Sequence, residues 1–512
     1  MNEIDEIEML KKRLNVLEIS VQKRWAIYGT GNGAEFLYRA LQEEENLHLI
    51  TYVIDRDDRV QINQEFHNIS VVKLDEVIDI IDGIIIAAMD YGKVIKDRIL
   101  LSLTTEQLKR IEIVDIYRDS TDSEKLEYVE FVENGILNNL DDFVNFDTDA
   151  FQRANLDTKV IAWYLPQFHQ MEINNKFHGQ GFTEWTNTSK AFPMFTGHYQ
   201  PHIPYDVGYY DLTNIESIKR QVYLAKHYGI YGFCIHYYWF SGIRIMEKPL
   251  ELLLEHKELD MPFCLDWATE NWTALWDGGN KEIMLEQILE DGDEEKFMND
   301  ILPYMKDSRY IKIDGRPVLV IYRINVFEKE RIKAAISNFR ERAKKEGFPD
   351  LYIMTTNAFE FQEDVVEWGC DALTEFPPHG VFASMKRFRP EGYINPNYKG
   401  SIWDTRSFIK NKDYMIKHKN KKYFRSAMVS WDNTARKALS QAHIITGLNP
   451  MTFRGWLKDI VEESQRIHTK EEDIVFVNSW NEWAEGSHLE PDMKYGYAYL
   501  KIVKEVLEEV RG

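Results

Sequence analysis

Eight short apolar runs alternate with helical stretches from residue 159 onward, and this pattern constrains the fold more than any other feature of the chain. The stretches between the runs, such as 214–229 and 326–347, have helical periodicity. Eight β–α alternations over roughly 350 residues predict a (β/α)8 barrel. The predicted strands are VIAWYLP (160–166), YGFCIHYYW (231–239), PFCLDW (262–267), PVLVIY (317–322), LYIMTT (351–356), ALTEF (372–376), FRSAMVSW (424–431) and IVFVNSW (474–480).

Polar and aromatic side chains follow nearly every predicted strand at its C-terminal end. Barrel enzymes build their active sites at this end of the strands, whereas a purely structural barrel does not need a carboxylate, imidazole or amide there. The pattern therefore predicts an enzyme. The side chains are Gln167, His169, His236, Tyr237, Asp266, Trp267, Tyr322, Asn357, Glu375, Trp431, Asp432, Asn481 and Glu482.

A separate α/β pattern precedes the barrel. The run RWAIYGT (24–30) enters a turn in which Gly29, Gly31 and Ala34 fit the G-x-G-x-x-A spacing, and Asp55 follows a second apolar run 21 residues beyond Ala34. This order of strand, turn, helix, strand and acid predicts a Rossmann-like domain and a candidate nucleotide or nucleotide-sugar site. The alternative is that the glycines only shape a tight turn.

The predicted domains are an amphipathic helix over 1–20, the Rossmann-like domain over 21–120, a polar connector over 121–155 and the barrel over 156–512. The helix pairs either with another helix of the chain or with a second chain, which would make an oligomer. The short Rossmann-like domain also raises the alternative of an oxidoreductase, but no catalytic Lys, Tyr or His follows within it.

Composition excludes several classes of partner. The net charge of -22 disfavours nucleic acid, because phosphate binding needs clustered Lys and Arg. Three widely spaced cysteines imply no disulfide framework, and the histidines show no zinc-type spacing, so we expect no metal. No apolar run is long enough to span a membrane and the N-terminus does not read as a signal peptide, so the expected location is cytoplasmic.

The densest chemical cluster is SWNEWAEGSHLEP (479–491), directly after the last predicted strand. Glu482 and Glu485 are three residues apart, so a helical turn or tight loop can point both into one cleft. Apolar rings such as Trp480 and Trp483 raise a carboxyl pKa and keep one group protonated as a general acid. Glycosyl transfer needs such an acid and a second carboxylate. The alternative is a surface pair beside packed tryptophans.

Residues 159–510 resemble the WbsX-type glycosyltransferases of bacterial surface-polysaccharide clusters, and also the family 99 glycoside hydrolases, which are endo-α-mannosidases. The resemblance rests on NEWAEG with the following EP, YLPQFH (164–169), GFTEWTN (181–187), HYQPHIP (198–204), DWATENWT (266–273), EFPPHG (375–380) and WDNTAR (431–436). It implies retention through a 1,2-anhydro sugar, with Glu482 as base on the 2-hydroxyl and Glu485 as acid/base. The barrel chemistry would then need no cofactor.

Further side chains are predicted to contact the sugar. Each of them has a structural alternative, such as a loop hydrogen bond, a packed core position or a salt bridge. Arg436 is a candidate to bind a carboxylate or phosphate of a donor sugar bidentately. The predicted contacts are Trp480, Asn481, Trp483, His169, Glu184, Trp185, His236, Tyr237, Asp266, Glu270, Asn271, Trp272, Glu375, His379, Asp432 and Arg436.

The sequence therefore predicts an enzyme that forms or cleaves glycosidic bonds on an oligo- or polysaccharide, with a nucleotide-sugar as candidate donor, in bacterial surface polysaccharide (O-antigen or capsule) biosynthesis. Two alternatives stay open: an intracellular endo-glycosidase of the α-mannosidase type, and a sugar-binding protein without activity. The acidic pair argues against the second, because a binding site has no need of an acid.

Overall fold

A computed structural model describes residues 3–16, 23–56, 60, 64–88, 91–117, 143–273, 283–390 and 393–511. The chain divides into two compact units, Met1–Glu133 with Arg389–Glu391, and Asn134–Phe388 with Gly392–Gly512. Residues 121–142 of the predicted connector lie outside the described residues. No helix in the described ranges is long and apolar enough to cross a membrane.

The first unit contains a six-stranded sheet in the order β3-β4-β2-β1-β5-β6. Strands β4, β2, β1, β5 and β6 are parallel, while β3 pairs with β4 antiparallel. Buried side chains cover both faces of the sheet. The elements are α1 (Glu3–Val16), β1 (Trp25–Tyr28), α2 (Asn32–Glu43), β2 (Ile50–Ile54), β3 (Glu65–Phe66), β4 (Ile69–Val72), α3 (Leu74–Val77), β5 (Gly83–Ile86), α4 (Gly92–Ser102), α5 (Thr105–Arg110) and β6 (Glu112–Asp115).

The second unit is built on a parallel sheet whose spatial order follows the chain order. Only Arg425 separates β19 from β20; β19 pairs with β16 and β20 with β22, so together they fill one of eight strand positions. The sheet is therefore a nearly closed α/β barrel, as the alternation predicts. Its strands are β7 (Lys159–Tyr164), β8 (Gly232–Phe240), β10 (Phe263–Trp267), β14 (Arg316–Ile321), β15 (Tyr352–Thr356), β16 (Ala372–Thr374), β19 (Tyr423–Phe424), β20 (Ser426–Met428) and β22 (Ile474–Asn478).

Helices pack around this barrel through apolar stripes. In α11 the stripe is Ile332, Ala335, Ile336, Phe339 and Ala343, at the spacing that one helix face requires. The side chain of Glu328 accepts the first free backbone N–H groups and fixes where α11 begins. The helices are α6 (Glu172–His178), α7 (Glu184–Thr188), α8 (Ile215–His227), α9 (Glu247–Glu255), α10 (Asp293–Met305), α11 (Lys329–Lys345), α12 (Arg406–Asn411), α13 (Pro450–Ile467) and α14 (Ala498–Glu509).

Short strands and 3-10 turns lie in the loops between the barrel strands and the helices. The strands outside the barrel are β9 (Ile243–Ile245), β11 (Trp272–Thr273), β12 (Ile283–Leu285), β13 (Lys312–Ile313), β17 (Lys386–Arg387), β18 (Ser401–Asp404), β21 (His443–Thr446), β23 (Asn481–Glu482) and β24 (Ser487–His488). The 3-10 turns of the barrel unit are Ile324–Val326, Ala358–Glu360, Val365–Trp368, Phe382–Ser384, Asn433–Ala435 and Trp483–Glu485.

Candidate active site

The acidic cluster after β22 folds as a small hairpin. Strands β23 and β24 pair antiparallel and are joined by the 3-10 turn Trp483–Glu485. Gly486 closes the turn at φ 61°, a left-handed conformation that glycine adopts without steric cost. The predicted helical turn or tight loop is therefore a 3-10 turn between two short strands.

Glu482 and Glu485 converge on one guanidinium. Arg436 places its Nη2 2.8 Å from Glu485 Oε1 and its Nη1 3.7 Å from Glu482 Oε2. Each glutamate is only 7% exposed. Asp432, which precedes the 3-10 turn Asn433–Ala435 before Arg436, donates its backbone N–H to the Glu485 carbonyl at 2.7 Å, which ties the two loops together.

Burial raises the pKa of both glutamates, and the single guanidinium opposes the shift. The pKa of Glu482 lies well above its ordinary value, because the charge of Glu485 adds to the effect of burial. Arg436 is closer to Glu485 and favours its anion. Two buried acids sharing one cation are suited to hold one proton between them, as an acid/base pair requires.

Glu184 supplies a third buried carboxyl. It begins α7 and is 1% exposed. Burial raises its pKa to about 7, and the charge of Arg436 opposes this rise more strongly than the side chain of Asn187 does. The repulsion from Glu485 shows that Glu184 belongs to the same electrostatic cluster. Contact of Glu184 with a sugar stays a prediction.

Strand-end tyrosines line the cluster. The charge of Glu482 is the second cause, after burial, that raises the pKa of Tyr238, whose hydroxyl accepts a hydrogen bond from Gln167 Nε2 at 2.8 Å. The pKa of Tyr322 is raised by burial, then by Glu270 and Glu485. The predicted contacts omitted both tyrosines.

His236 and Asp266 lie beside each other on neighbouring strands, as their aligned register requires. His236 Nδ1 is 2.7 Å from Asp266 Oδ2, and Asp266 is fully buried. Burial raises the pKa of Asp266, and the imidazole opposes the shift. The charge of His236 also lowers the pKa of Glu485, so this pair belongs to the electrostatic surroundings of the acid pair. Contact of His236 and Asp266 with a sugar stays a prediction.

Tyr237 was predicted to contact the sugar, but its side chain points away from the site. Its ring packs against Phe297 and Tyr304 of α10, with centroids 6.2 and 6.1 Å away. Successive side chains of a strand point to opposite faces, so Tyr237 faces the helices while His236 and Tyr238 face the barrel interior. The same alternation, applied to His236, would have found Tyr238.

Three other predicted contacts are occupied by the protein itself. Asn481 accepts from Leu165 N at 2.7 Å and donates to Leu165 O at 2.9 Å. Glu375 accepts from Arg425 at 2.6 Å and lies 2.7 Å from His418 Nε2. Because both side chains already bond to other parts of the protein, they serve the fold rather than a sugar. Similarly, the Asp432 carboxylate lies 2.7 Å from His198 Nε2 and accepts from Gln200 at 2.6 Å.

The two tryptophans of the cluster are enclosed rather than exposed. Trp480 and Trp483 are 0% and 1% exposed. Their indole N–H groups donate to the carboxylate of Glu490 at 3.1 and 2.7 Å, and Glu490 also accepts from Tyr210 and Gln221. An enclosed ring presents no face to a sugar, so the tryptophans and Glu490 support the hairpin from within. Glu490 entered the family resemblance only as part of the EP dipeptide, and no role was predicted for it.

The loop after β10 holds three predicted contacts in different environments. Glu270 is partly exposed and accepts from Arg323 at 3.1 Å. Asn271 accepts from the backbone of Gln287 at 2.6 Å. Trp272 is 3% exposed and packs edge-on against Tyr238 with centroids 5.3 Å apart. The Glu270 carboxylate is thus paired with Arg323, whereas Asn271 and Trp272 shape the loop.

The remaining predicted contacts lie at the edge of the cluster. Trp185 donates its indole N–H to Tyr210 O at 2.7 Å. His169 is 5% exposed, and burial lowers its pKa. Burial also lowers the pKa of His379 to about 4, so this imidazole is neutral near pH 7.

The glycine-rich turn of the first unit has the geometry expected of a tight turn. Gly29 has φ 113°, and Ala34 donates its backbone N–H to Gly31 O at 2.9 Å at the start of α2. Asp55 accepts from the hydroxyl of Thr30 at 2.5 Å. Nucleotide binding at this turn stays a prediction, which calorimetric titration of the protein with a nucleotide sugar tests.

The fold and site together define an α/β barrel with a buried acid pair at the rim. Residues 160–503 match the family described as Glycosyltransferase WbsX. The chain therefore belongs to the WbsX glycosyltransferase family.

Among curated proteins, the chain is 32% identical over 358 residues to Uncharacterized protein WxcX of Xanthomonas campestris pv. campestris strain B100, and likewise to WxcX of a second strain. The match covers 69% of this chain and 50% of the relative. The chain thus spans about half the length of the curated relatives it matches.

Similar solved structures include a glycoside hydrolase-like protein, with TM-score 0.46 and 16% identity over 72% of this chain and 99% of that one. Others are structures of the GH99 endo-alpha-mannosidase from Bacteroides thetaiotaomicron, with TM-scores of 0.43 and 0.44 and 13% and 14% identity. Both cover 70% of this chain and 98% of the mannosidase.

Proposed function

We propose that the barrel forms or cleaves glycosidic bonds with retention, through a 1,2-anhydro sugar, in bacterial surface polysaccharide biosynthesis. The supporting observation is the pair Glu482 and Glu485, which are both 7% exposed and share Arg436. A carboxyl kept protonated by burial can act as an acid at neutral pH. Membership of a glycosyltransferase family favours transfer to an acceptor hydroxyl over hydrolysis.

In the proposed first step, Glu482 removes the proton of the sugar 2-hydroxyl as O2 attacks C1. The bond from C1 to the leaving oxygen breaks, and that oxygen takes the proton of Glu485. In the second step Glu485 removes a proton from the acceptor, whose oxygen attacks C1. The bond between C1 and O2 breaks, and O2 regains its proton from Glu482. Each carboxyl thereby returns to its starting state.

These roles require a proton on Glu485 when the donor sugar is bound. In the ligand-free protein Arg436 lies closer to Glu485 and favours its anion, while Glu482 holds its proton more tightly. The proposed roles therefore require the shared proton to move from Glu482 to Glu485 when the donor sugar binds. The alternative is that the two carboxyls have the reverse roles. The pH dependence of the rate, measured for Glu482→Gln and for Glu485→Gln, distinguishes the two assignments.

An endo-glycosidase and a binding protein without activity are the competing functions. The raised pKa values of three clustered carboxyls favour an enzyme over a binding protein, because binding alone gains nothing from holding acids out of water. Product analysis distinguishes glycosidase from transferase, since water gives a free reducing sugar and an acceptor hydroxyl gives a new glycoside.

The test is to incubate the protein with aryl α-mannosides and with nucleotide sugars as donors, with oligomannosides as acceptors, and to determine the anomeric configuration by NMR. Glu485→Gln should lower the rate about 10²–10⁴-fold, as expected for loss of a general acid. Glu341→Gln, an exposed change on α11, is the matched control. The proposal is refuted if Glu485→Gln is fully active on a donor that the wild type uses, or if the product is inverted at C1.

A further inference from the structure

Two loops of the barrel unit meet beside the acidic hairpin. Tyr205 donates its backbone N–H to Pro491 O at 2.9 Å, and Met493 donates to Ile203 O at 2.9 Å. This pairing brings the segment after β7 against the segment after β24. As a result, His202 from the first loop lies next to side chains of the second.

Three side chains with metal-binding atoms gather at this junction. In the part of the chain that the structure describes, His202, His488 and Asp492 form one group whose ligand atoms all lie within 4.8 Å of one another. His202 Nδ1 is 2.8 Å from His488 Nε2, and Asp492 Oδ2 is 3.8 Å from the same nitrogen. The three residues are 4%, 2% and 2% exposed.

Contacts with neighbouring groups orient two of these three side chains, His488 and Asp492. His488 Nδ1 lies 3.0 Å from the carbonyl oxygen of Glu490, to which it donates, so its Nε2 keeps a lone pair toward the cluster. Such a hydrogen bond orients most metal-binding histidines. Asp492 Oδ1 accepts from the backbone of Lys494 and Tyr495.

We propose that His202, His488 and Asp492 bind a divalent transition metal of the zinc type. Imidazole nitrogens with one carboxylate suit Zn²⁺ or Co²⁺ better than Mg²⁺ or Ca²⁺, which prefer oxygen ligands. In a tetrahedral site with bonds of about 2.1 Å the two nitrogens lie about 3.4 Å apart. The pair at 2.8 Å therefore has to open by about half an ångström.

The metal would have a structural role. His488 follows Glu485 by three residues in the same hairpin, and its ring stacks on Trp483 with centroids 3.7 Å apart. A bound ion would tie this hairpin to the loop that contains His202, and would thus fix the two glutamates. Sequence spacing could not find the site, because His202 is separated from the other two ligands by most of the barrel.

The test uses the full chain, purified without a histidine tag and dialysed against a chelator. Titration with Co²⁺ should give one equivalent bound and the visible absorption of four-coordinate cobalt, and Zn²⁺ should raise the melting temperature. His202→Asn and Asp492→Asn should abolish the cobalt absorption. His256→Gln, a partly exposed histidine of the same unit, should leave it unchanged.

Absence of stoichiometric cobalt absorption in the wild-type chain would overturn the proposal, as would its persistence in a folded His202→Asn variant. If neither variant folds, the melting temperature of the wild-type chain with zinc is compared with its melting temperature in chelator. A melting temperature that is identical with zinc and with chelator then counts against the site. None of these readouts depends on enzymatic activity, so the outcome is independent of the proposed reaction.

Discussion

At the scale of single residues, one arginine governs the charge of three buried carboxyls. Arg436 acts on Glu482, Glu485 and Glu184, and its own side chain is 18% exposed. Arg436 and the weaker charge of Lys437, which acts on Glu485, do not compensate three anions in a place that water barely reaches. The cluster therefore retains protons near neutral pH, which is the state an acid/base site needs.

Glu184 should make the barrel less stable as the pH rises. Its pKa is about 7 in the folded chain against an ordinary value of 4.5, so between these values the folded state holds a proton that the unfolded state releases. The free energy of unfolding should fall across this window by about 3 kcal/mol. Glu184→Gln should remove that decrease, and denaturant unfolding at pH 4, 6 and 8 measures it.

Tryptophan fluorescence suits this measurement, because 12 of the 13 tryptophans lie after position 160 and so report on the barrel unit. The difference between wild type and variant isolates Glu184 from other titrating groups. Glu341→Gln should show the wild-type dependence on pH. An equal decrease in wild type and Glu184→Gln would show that Glu184 ionises normally.

At the scale of elements, the alternation of β8 decides which tyrosine serves the site. Tyr238→Phe removes a hydroxyl beside Glu482 and should lower kcat/KM about five- to tenfold, the effect of one lost hydrogen bond. Tyr237→Phe changes a ring packed on α10 and should leave kcat/KM within about twofold. Steady-state kinetics checks both, on whichever of the tested donors the wild type turns over.

Melting temperatures of the two tyrosine variants should accompany the kinetics, so that loss of folded protein is not mistaken for loss of catalysis. The opposite ranking, with Tyr237→Phe the more impaired enzyme, would mean that β8 presents the other face to the site.

At the scale of the whole molecule, the barrel depends on the seam between β19 and β20. Arg425 interrupts the strand there, and its guanidinium donates to Glu375 at 2.6 Å and to Glu463 of α13 at 2.5 Å. Arg425→Met would leave buried charges without their partner and should cost about 3–5 kcal/mol of unfolding free energy. Denaturant unfolding followed by tryptophan fluorescence measures the loss.

Arg466→Met provides the comparison, because Arg466 lies 3.7 Å from the same Glu463 but is 73% exposed. An exposed ion pair contributes about 0–1 kcal/mol, so this variant should unfold almost as the wild type does. Equal losses in the two variants would contradict a special role of the seam in barrel stability.

The local pattern of the sequence was sufficient to predict the barrel. Strand positions such as 262–267 and 474–480 agree with β10 and β22 within about two residues, because apolar runs ending in polar groups are a local signal. The spacing of Glu482 and Glu485 likewise predicted that both reach one place. In both cases the residues that determine the feature are close together in the sequence.

Tertiary structure decided which polar side chains remain available to bind a ligand. Asn481 and Glu375 have sugar-binding chemistry, but partners distant in the sequence occupy them: Leu165 and Arg425. The junction of His202 with His488 also depends on loops far apart in sequence. Whether a polar group is free depends on what folding brings against it, and a linear pattern does not contain those contacts.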